Sequence, residues 1–84
     1  MTNDNDAKIK RIFCDELGLD EGAVNDGTAY DSTDAWDSLK HLQLVGRLEE
    51  EFGIEISVDD IVAMSTFLKV KEIVNKNIAG KGAS

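Results

Sequence analysis

The chain has 84 residues, of which 17 are acidic and 9 are basic, and its formal net charge at pH 7 is -8. A chain of this length forms one small domain of modest stability, without room for a deep enzyme cleft. Its negative charge argues against nucleic acid as a partner, because binding to phosphates requires clustered Lys and Arg. We therefore expect a basic protein surface as the partner.

The cysteine content and the hydropathy pattern indicate where the protein resides. Cys14 is the only cysteine, so no intramolecular disulfide can form, and the first residues contain no apolar signal region. These features predict a cytoplasmic protein. No apolar segment approaches the ~20 residues that a transmembrane helix needs, so stable membrane insertion is not expected.

The sequence offers no metal site of a recognisable kind. His41 is the only histidine, which excludes a cluster of histidine ligands. The acidic residues before position 38 also lack the ligand spacing, the central glycine and the terminal glutamate of an EF-hand calcium loop. We therefore predict no metal ligands.

The first predicted element is a helix that begins near Asp6 and ends at Gly18. Helical spacing places four apolar side chains on one stripe of this helix: Ile9, Ile12, Phe13 and Leu17. Cys14 falls well off that stripe. The stripe predicts which face of the first helix contacts the core.

A long polar connection follows, from residue 18 to residue 36. It belongs to an acidic stretch over residues 15–37 that contains no Lys or Arg. A connection of this length in a small domain is usually functional or disordered. We predict an ordered one, because three apolar side chains can anchor it to the core: Leu19, Val24 and Tyr30.

The second predicted helix covers residues 38–52 and ends at Gly53. Its predicted apolar face consists of Leu39, Leu42, Val45, Leu48 and Phe52. Asp37 suits the N-cap position, because its carboxylate can accept hydrogen bonds from the first turn. Gly46 costs about 1 kcal/mol relative to alanine, which indicates either a close packing contact or an exposed position. His41 projects into the apolar face and is expected to be packed and hydrogen-bonded.

Two shorter segments and a fourth helix complete the chain. Residues 54–56 alternate like a strand but have no partner strand, so we predict an extended connector. Ser57 can cap a short third helix over residues 58–64, and Ser65 or Thr66 can cap a fourth helix. The apolar stripe of the fourth helix consists of Phe67, Val70, Val74 and Ile78.

These elements predict an all-α fold. Four helices, with a long first loop and a short third helix, form a small bundle. The structured core is expected over residues 5–79, and residues 80–84 are expected to form a flexible tail. The whole chain, residues 1–84, is predicted to be a single domain.

The serine at the start of the second helix is the main candidate for a functional residue. Ser38 lies between Asp37 and Leu39. The first turn of a helix has unpaired N–H groups and the positive end of the helix dipole, which favour an anion there by ~0.3–1 kcal/mol. Ser38 is therefore well placed to carry a phosphodiester.

The order and spacing of these motifs resemble the acyl carrier proteins. The resemblance rests on Asp37-Ser38-Leu39 and on four other parts of the chain: Asp15-Glu16-Leu17-Gly18, Tyr30, Leu48-Glu49-Glu50-Glu51-Phe52 and Ile54-Glu55-Ile56. It covers nearly the whole chain. It implies a single acyl carrier domain with the four-helix bundle of that family.

The resemblance also implies a function. Ser38 would be the attachment site of 4′-phosphopantetheine, transferred from coenzyme A by a phosphopantetheinyl transferase, with Asp37 and Leu39 completing the motif. The arm would hold acyl groups as thioesters and deliver them to acyl-loading, condensing and transfer enzymes. Those enzymes would belong to fatty-acid, polyketide or other specialised lipid biosynthesis. The carrier itself would be a monomer without catalytic activity.

The expected partner surface is formed by charged residues: Lys40, Arg47, Glu49, Glu50, Asp59 and Asp60. Helix two departs from the pattern of the carriers of fatty-acid synthesis. Lys40 stands at a position where those carriers commonly have an acidic residue. Gly46 stands where an exposed apolar side chain is frequent, and Trp36 stands where a small residue is usual. These departures, together with His41, predict service in a specialised pathway.

Several alternatives remain open on the sequence. An aminoacyl, D-alanyl or peptidyl carrier would share the fold and the prosthetic group. A cofactor-free acidic helical interaction module would tolerate Ser38→Ala without loss of activity. Ser38 and His41 also have the spacing of a nucleophile and its base, but no third orienting group is identifiable. We expect Trp36 to be a core aromatic, with shaping of the arm's exit as the alternative.

Overall fold

The computed structural model describes residues 4–82, which form four α-helices. The helices are α1 (Asp4–Leu17), α2 (Ser38–Phe52), α3 (Val58–Ala63) and α4 (Phe67–Gly82). Two short 3₁₀ helices, Glu21–Ala23 and Tyr30–Ser32, lie in the connection between α1 and α2. The predicted all-α bundle with a long first loop and a short third helix is confirmed.

Glycine and capping residues determine where the helices begin and end. Gly18 and Gly53 have φ angles of 68° and 62°, the left-handed conformation that ends a helix at little cost for glycine. Three predicted caps each accept a hydrogen bond from the backbone N–H three residues later: Asp37 from Lys40, Ser57 from Asp60, and Thr66 from Lys69.

The first and last helices are longer than the apolar stripes suggest. Helix α1 begins at Asp4, two residues before the predicted start. Helix α4 continues to Gly82, so residues 80–82 of the predicted tail are helical, whereas residues 83 and 84 lie outside the described range. Within that range, no helix has the length and apolar character needed to cross a lipid bilayer.

Helix α2 buries a different face from the one predicted. Its buried residues are Leu44, Val45 and Leu48, whereas the side chains of Leu39 and Leu42 are 64% and 61% exposed. The prediction that Leu39 and Leu42 face the core is therefore wrong. Two apolar stripes overlap on this helix and share residues 45 and 48. Packing against α1 selects the stripe over positions 41, 44, 45 and 48.

The buried face of α1 is also wider than predicted. Ile9, Ile12, Phe13 and Leu17 are buried as expected, but Cys14 is buried as well, with 5% of its surface exposed. The expectation that Cys14 lies off the buried stripe is therefore wrong. The chain leaves α1 shortly after this residue, and the amide of Leu19 donates to the carbonyl of Cys14 at 3.0 Å. Burial raises the pKa of the Cys14 thiol, and nearby Glu21 adds to the effect.

The long connection is ordered by its anchors and by hydrogen bonds to the segment between α3 and α4. Val24 is buried, and Leu19 and Tyr30 pack against the core, as predicted. The amide of Tyr30 donates to the carbonyl of Ser65 at 2.9 Å, and the amide of Phe67 donates to that of Thr28 at 2.8 Å. These bonds hold the loop that leads to Ser38 against the start of α4.

The connector between α2 and α3 is extended, as predicted. Ile54 and Ile56 are both buried, and Glu55 between them is exposed. The amide of Ile56 donates to the Glu49 carboxylate at 2.8 Å. This contact ties the connector to the last turns of α2.

Candidate functional site

Ser38 is the first residue of α2, and its side chain is exposed. Asp37 precedes it in an extended conformation, and the Asp37 carboxylate accepts from the amide of Lys40 at 2.8 Å. The backbone carbonyl of Asp37 accepts from the amide of His41 at 2.8 Å. The cap therefore orients the first turn and leaves the Ser38 hydroxyl accessible at the positive end of the helix dipole.

Trp36 anchors the segment that enters α2. Only 1% of its surface is exposed, and its ring packs edge-on against Phe13 with ring centres 4.9 Å apart. The Tyr30 ring also packs edge-on against the indole, with ring centres 5.8 Å apart. The expectation of a core aromatic is confirmed. Because Trp36 lies two residues before Ser38, its burial restrains the backbone that leads to the serine.

His41 connects Trp36 to α3. The Trp36 indole N–H donates to His41 Nδ1 at 3.0 Å, and His41 Nε2 lies 2.8 Å from the carbonyl oxygen of Ile61. An indole N–H can only donate and a carbonyl can only accept, so Nδ1 is the acceptor and Nε2 the donor. Both ring nitrogens are engaged, as expected for a packed histidine. Neither is available to take a proton from Ser38, which argues against a nucleophile pair.

A cavity of about 420 Å³ opens beside Ser38, between α2 and α3, and we call it the α2–α3 groove. Its lining is mostly apolar and includes Tyr30, His41, Leu42, Ile61, Val62 and Met64. The sequence reasoning missed the contribution of α3. The sequence predicted a packed and hydrogen-bonded His41, but residue identity does not show that its partner is a backbone carbonyl of α3.

The two helices that form this groove carry exposed apolar side chains. Leu39 and Leu42 are one turn apart on α2, and Val58 and Val62 are one turn apart on α3, with exposed fractions of 74% and 78%. Leu42 and Val62 also line the groove itself. Grouped exposed side chains of this kind mark interaction surfaces more often than do single ones.

Arg47, one of the residues expected on the partner surface, binds the end of α1. Its guanidinium donates to the Glu16 carboxylate at 3.0 Å and lies within 4.0 Å of Asp15 and Glu51. The hydrogen bond with Glu16 raises the pKa of Arg47, and the acidic neighbours act in the same direction. Arg47 therefore joins α2 to α1.

The other expected partner residues differ in their surroundings. Glu49 accepts from the backbone of the α2–α3 connector, and Asp60 pairs with Lys76 on α4 at 3.0 Å. The Lys76 hydrogen bond lowers the pKa of Asp60. Glu50 and Asp59 are exposed, and Lys40 is half-buried next to Ser38. Within residues 4–82, no three His, Cys, Asp or Glu side chains are grouped so as to hold a metal ion.

Comparison with known proteins agrees with this geometry. The family described as "Phosphopantetheine attachment site" matches residues 7–74. The fold is similar to the solution NMR structure of a holo acyl carrier protein from Geobacter metallireducens, with a TM-score of 0.82 and 24% sequence identity. That alignment covers 94% of this chain and 91% of the other. The chain therefore belongs to the phosphopantetheine attachment site family and has an acyl carrier fold, which makes it a non-catalytic carrier whose prosthetic group is phosphopantetheine.

Proposed function

We propose that Ser38 is the residue that carries the 4′-phosphopantetheine arm, through a phosphodiester on its Oγ. The hydroxyl is exposed and lies at a helix N-terminus, where the N–H groups and the helix dipole favour a phosphate. Asp37 fixes the geometry of that turn through its bond to the Lys40 amide. The residues around Ser38 therefore fit the prosthetic group. The bound arm supplies a thiol on which cargo is held as a thioester.

We further propose that the cargo is an acyl group. The apolar α2–α3 groove beside Ser38 is the single observation that carries this step. An acyl chain gains free energy when it leaves water for such a lining. An aminoacyl group would bring an ammonium into the same groove, where burial of an unpaired charge is costly. The groove therefore favours an acyl carrier over an aminoacyl or D-alanyl carrier.

The proposed partner surface is the rim of the groove. We infer that partner enzymes contact Leu39, Leu42, Val58 and Val62, together with the neighbouring charges of Lys40, Glu50 and Asp59. Arg47, Glu49 and Asp60 have partners within the chain and contribute mainly to the fold on this view. The partners would be a phosphopantetheinyl transferase and the enzymes that load, extend or transfer the acyl group.

We propose a specialised pathway rather than bulk fatty-acid synthesis. Lys40 makes the start of α2 less acidic, and Gly46 leaves an exposed position of that helix without a side chain. An enzyme that recognises a strongly acidic α2 should bind this surface weakly, because opposite charges steer and orient such encounters. Equal turnover by generic fatty-acid-synthesis enzymes, with this carrier and with one that has an acidic α2, would refute this part of the proposal.

The attachment site is tested by intact-protein mass spectrometry. The chain is incubated with coenzyme A, magnesium and a broad-specificity phosphopantetheinyl transferase, alongside Ser38→Ala and the matched control Ser65→Ala. Ser65 is another exposed serine that lines the groove. We expect a phosphopantetheine-sized mass increase for the wild type and for Ser65→Ala, and none for Ser38→Ala. A mass increase on Ser38→Ala, or none on folded wild type, would refute the assignment.

A further inference from the structure

Helix α3, which forms one wall of the groove, has little packing of its own. It is only six residues long, and none of its residues is buried. Its polar contacts with other helices include the pair between Asp60 and Lys76 on the outer side and the bond from His41 on the groove side. Exposed ion pairs contribute little to stability. Ile61 packs against the core, and the flanking Ile56 and Met64 are buried, so apolar contacts anchor α3 at its ends while the bond from His41 is its polar contact on the groove side.

We propose that His41 is the positioning residue of the α2–α3 groove, holding α3 against α2 so that the groove keeps its shape beside Ser38. This inference rests on the proposed attachment of the arm at Ser38. His41 lies one turn after Ser38 on α2 and reaches Ile61 in the last turn of α3. The Ile61 carbonyl accepts a long bond from the capping amide of Met64 at 3.4 Å, and the imidazole adds a second, shorter bond that comes from another helix.

Trp36 fixes the direction of the His41 ring. Its indole N–H binds Nδ1, which leaves Nε2–H to point at the Ile61 carbonyl. The Tyr30 ring also packs near the imidazole, with ring centres 6.0 Å apart. The path from Trp36 through His41 to Ile61 thus joins the loop before Ser38, helix α2 and helix α3. An apolar residue at position 41 could fill the space, but it would leave the indole N–H and the carbonyl without these partners.

The contact differs from general core packing because it requires one acceptor and one donor at fixed separation. Glutamine offers the same arrangement, since its oxygen and nitrogen are joined through one carbon, as Nδ1 and Nε2 are. His41→Gln should therefore retain the contact, and His41→Ala should lose it. Lys76→Ala removes the outer contact of α3 without touching the groove, and it serves as the matched control.

The first experiment measures amide hydrogen exchange in the apo protein, so it does not depend on the arm. In His41→Ala we expect faster exchange over residues 61–64 by about fivefold, which corresponds to the ~1 kcal/mol of one hydrogen bond. Exchange in the middle of α1 and α4 should change less. His41→Gln and Lys76→Ala should stay close to wild type. Trp36 fluorescence should shift in His41→Ala and recover in His41→Gln, because Trp36 is the only tryptophan.

The second experiment uses protein loaded by a phosphopantetheinyl transferase with hexanoyl-coenzyme A. Hydrolysis is followed by mass spectrometry: water adds to the thioester carbonyl, the C–S bond breaks, and hexanoate, the thiol and a proton are released. On our proposal the groove shields the thioester from water, so more frequent opening of α3 speeds hydrolysis. We expect about fivefold faster hydrolysis in His41→Ala and the wild-type rate in His41→Gln.

The outcomes separate the two proposals. Uniformly faster exchange along the whole chain in His41→Ala, or no recovery in His41→Gln, would show that His41 is a general packing residue and would overturn its positioning role. An unchanged hydrolysis rate despite a loosened α3 would show that α3 does not shield the cargo, which also overturns the inference. Absence of any mass increase on wild type would instead refute the attachment at Ser38, while the apo exchange result would still report on α3.

Discussion

Substitution of two glycines by alanine tests how backbone conformation alone affects the stability of this fold. Gly46 lies in the middle of α2 with an ordinary helical backbone, and Gly18 ends α1 with a φ angle of 68°. Apart from the adjoining backbone, a Cβ built on either residue meets no atom within 4 Å, so neither substitution by alanine causes a steric clash with other parts of the fold. Any difference between the two variants therefore reflects the backbone.

We expect opposite changes in stability. Gly46→Ala should raise the free energy of unfolding by about 1 kcal/mol, the difference in helix propensity between glycine and alanine, which raises Tm by roughly 4–8 °C in a chain of this size. Gly18→Ala should lower the free energy of unfolding by about 1 kcal/mol, because alanine in the left-handed region places its Cβ too close to the backbone. Both changes restrict the unfolded chain equally.

Urea denaturation followed by far-UV circular dichroism measures both variants. The m-values should match the wild type, which shows that unfolding exposes the same amount of surface in each variant. A destabilised Gly46→Ala would reveal a packing contact at this position and refute the assignment of an open surface. A Gly18→Ala variant as stable as wild type would refute the argument from φ.

Two further predictions concern the core and the pH dependence. Leu44 is fully buried and Leu42 is mostly exposed. Leu44→Ala should therefore lower the free energy of unfolding by about 2–5 kcal/mol, whereas Leu42→Ala should change it by less than about 0.5 kcal/mol. Similar losses of stability for the two variants in urea denaturation would contradict the observed buried face of α2. Asp60 has a lowered pKa in the folded chain, so its pairing with Lys76 stabilises the fold above the ordinary value of 3.8 and loses that effect as the pH falls through the folded value. The small difference in unfolding free energy between wild type and Lys76→Ala should therefore be present at neutral pH and shrink in acid. A difference that does not change with pH would contradict a stabilising pair between Asp60 and Lys76.

The sequence predicted the local features of the site well. The N-cap role of Asp37 and the start of α2 at Ser38 follow from short-range chemistry, because a carboxylate before a helix binds amides only three residues away. The burial of Trp36 and the hydrogen-bonded state of His41 were also expected. Their mutual contact was not, although the two residues are only five apart, because the orientation of the indole also depends on its packing against Phe13 and Tyr30.

The choice of buried face on α2 shows the limit of periodicity. Residues 39 and 42 fit one helical stripe, and residues 41 and 44 fit another. Hydrophobicity alone predicts that the first stripe is buried, because the second includes a histidine at position 41. Packing against α1 favours the second, and the hydrogen bonds of His41 satisfy its polar atoms in the half-buried position. The same packing leaves Leu39 and Leu42 exposed, and Leu42 lines the groove.

The sequence by itself determined the four helices, their caps and the place of Ser38 at a helix start, because these features depend on interactions within a few residues along the chain. Tertiary structure decided which side of α2 is buried and which atoms hold α3. It also decided that an apolar groove opens beside Ser38. Those features depend on contacts between segments far apart in sequence, such as the bond from His41 to the carbonyl of Ile61.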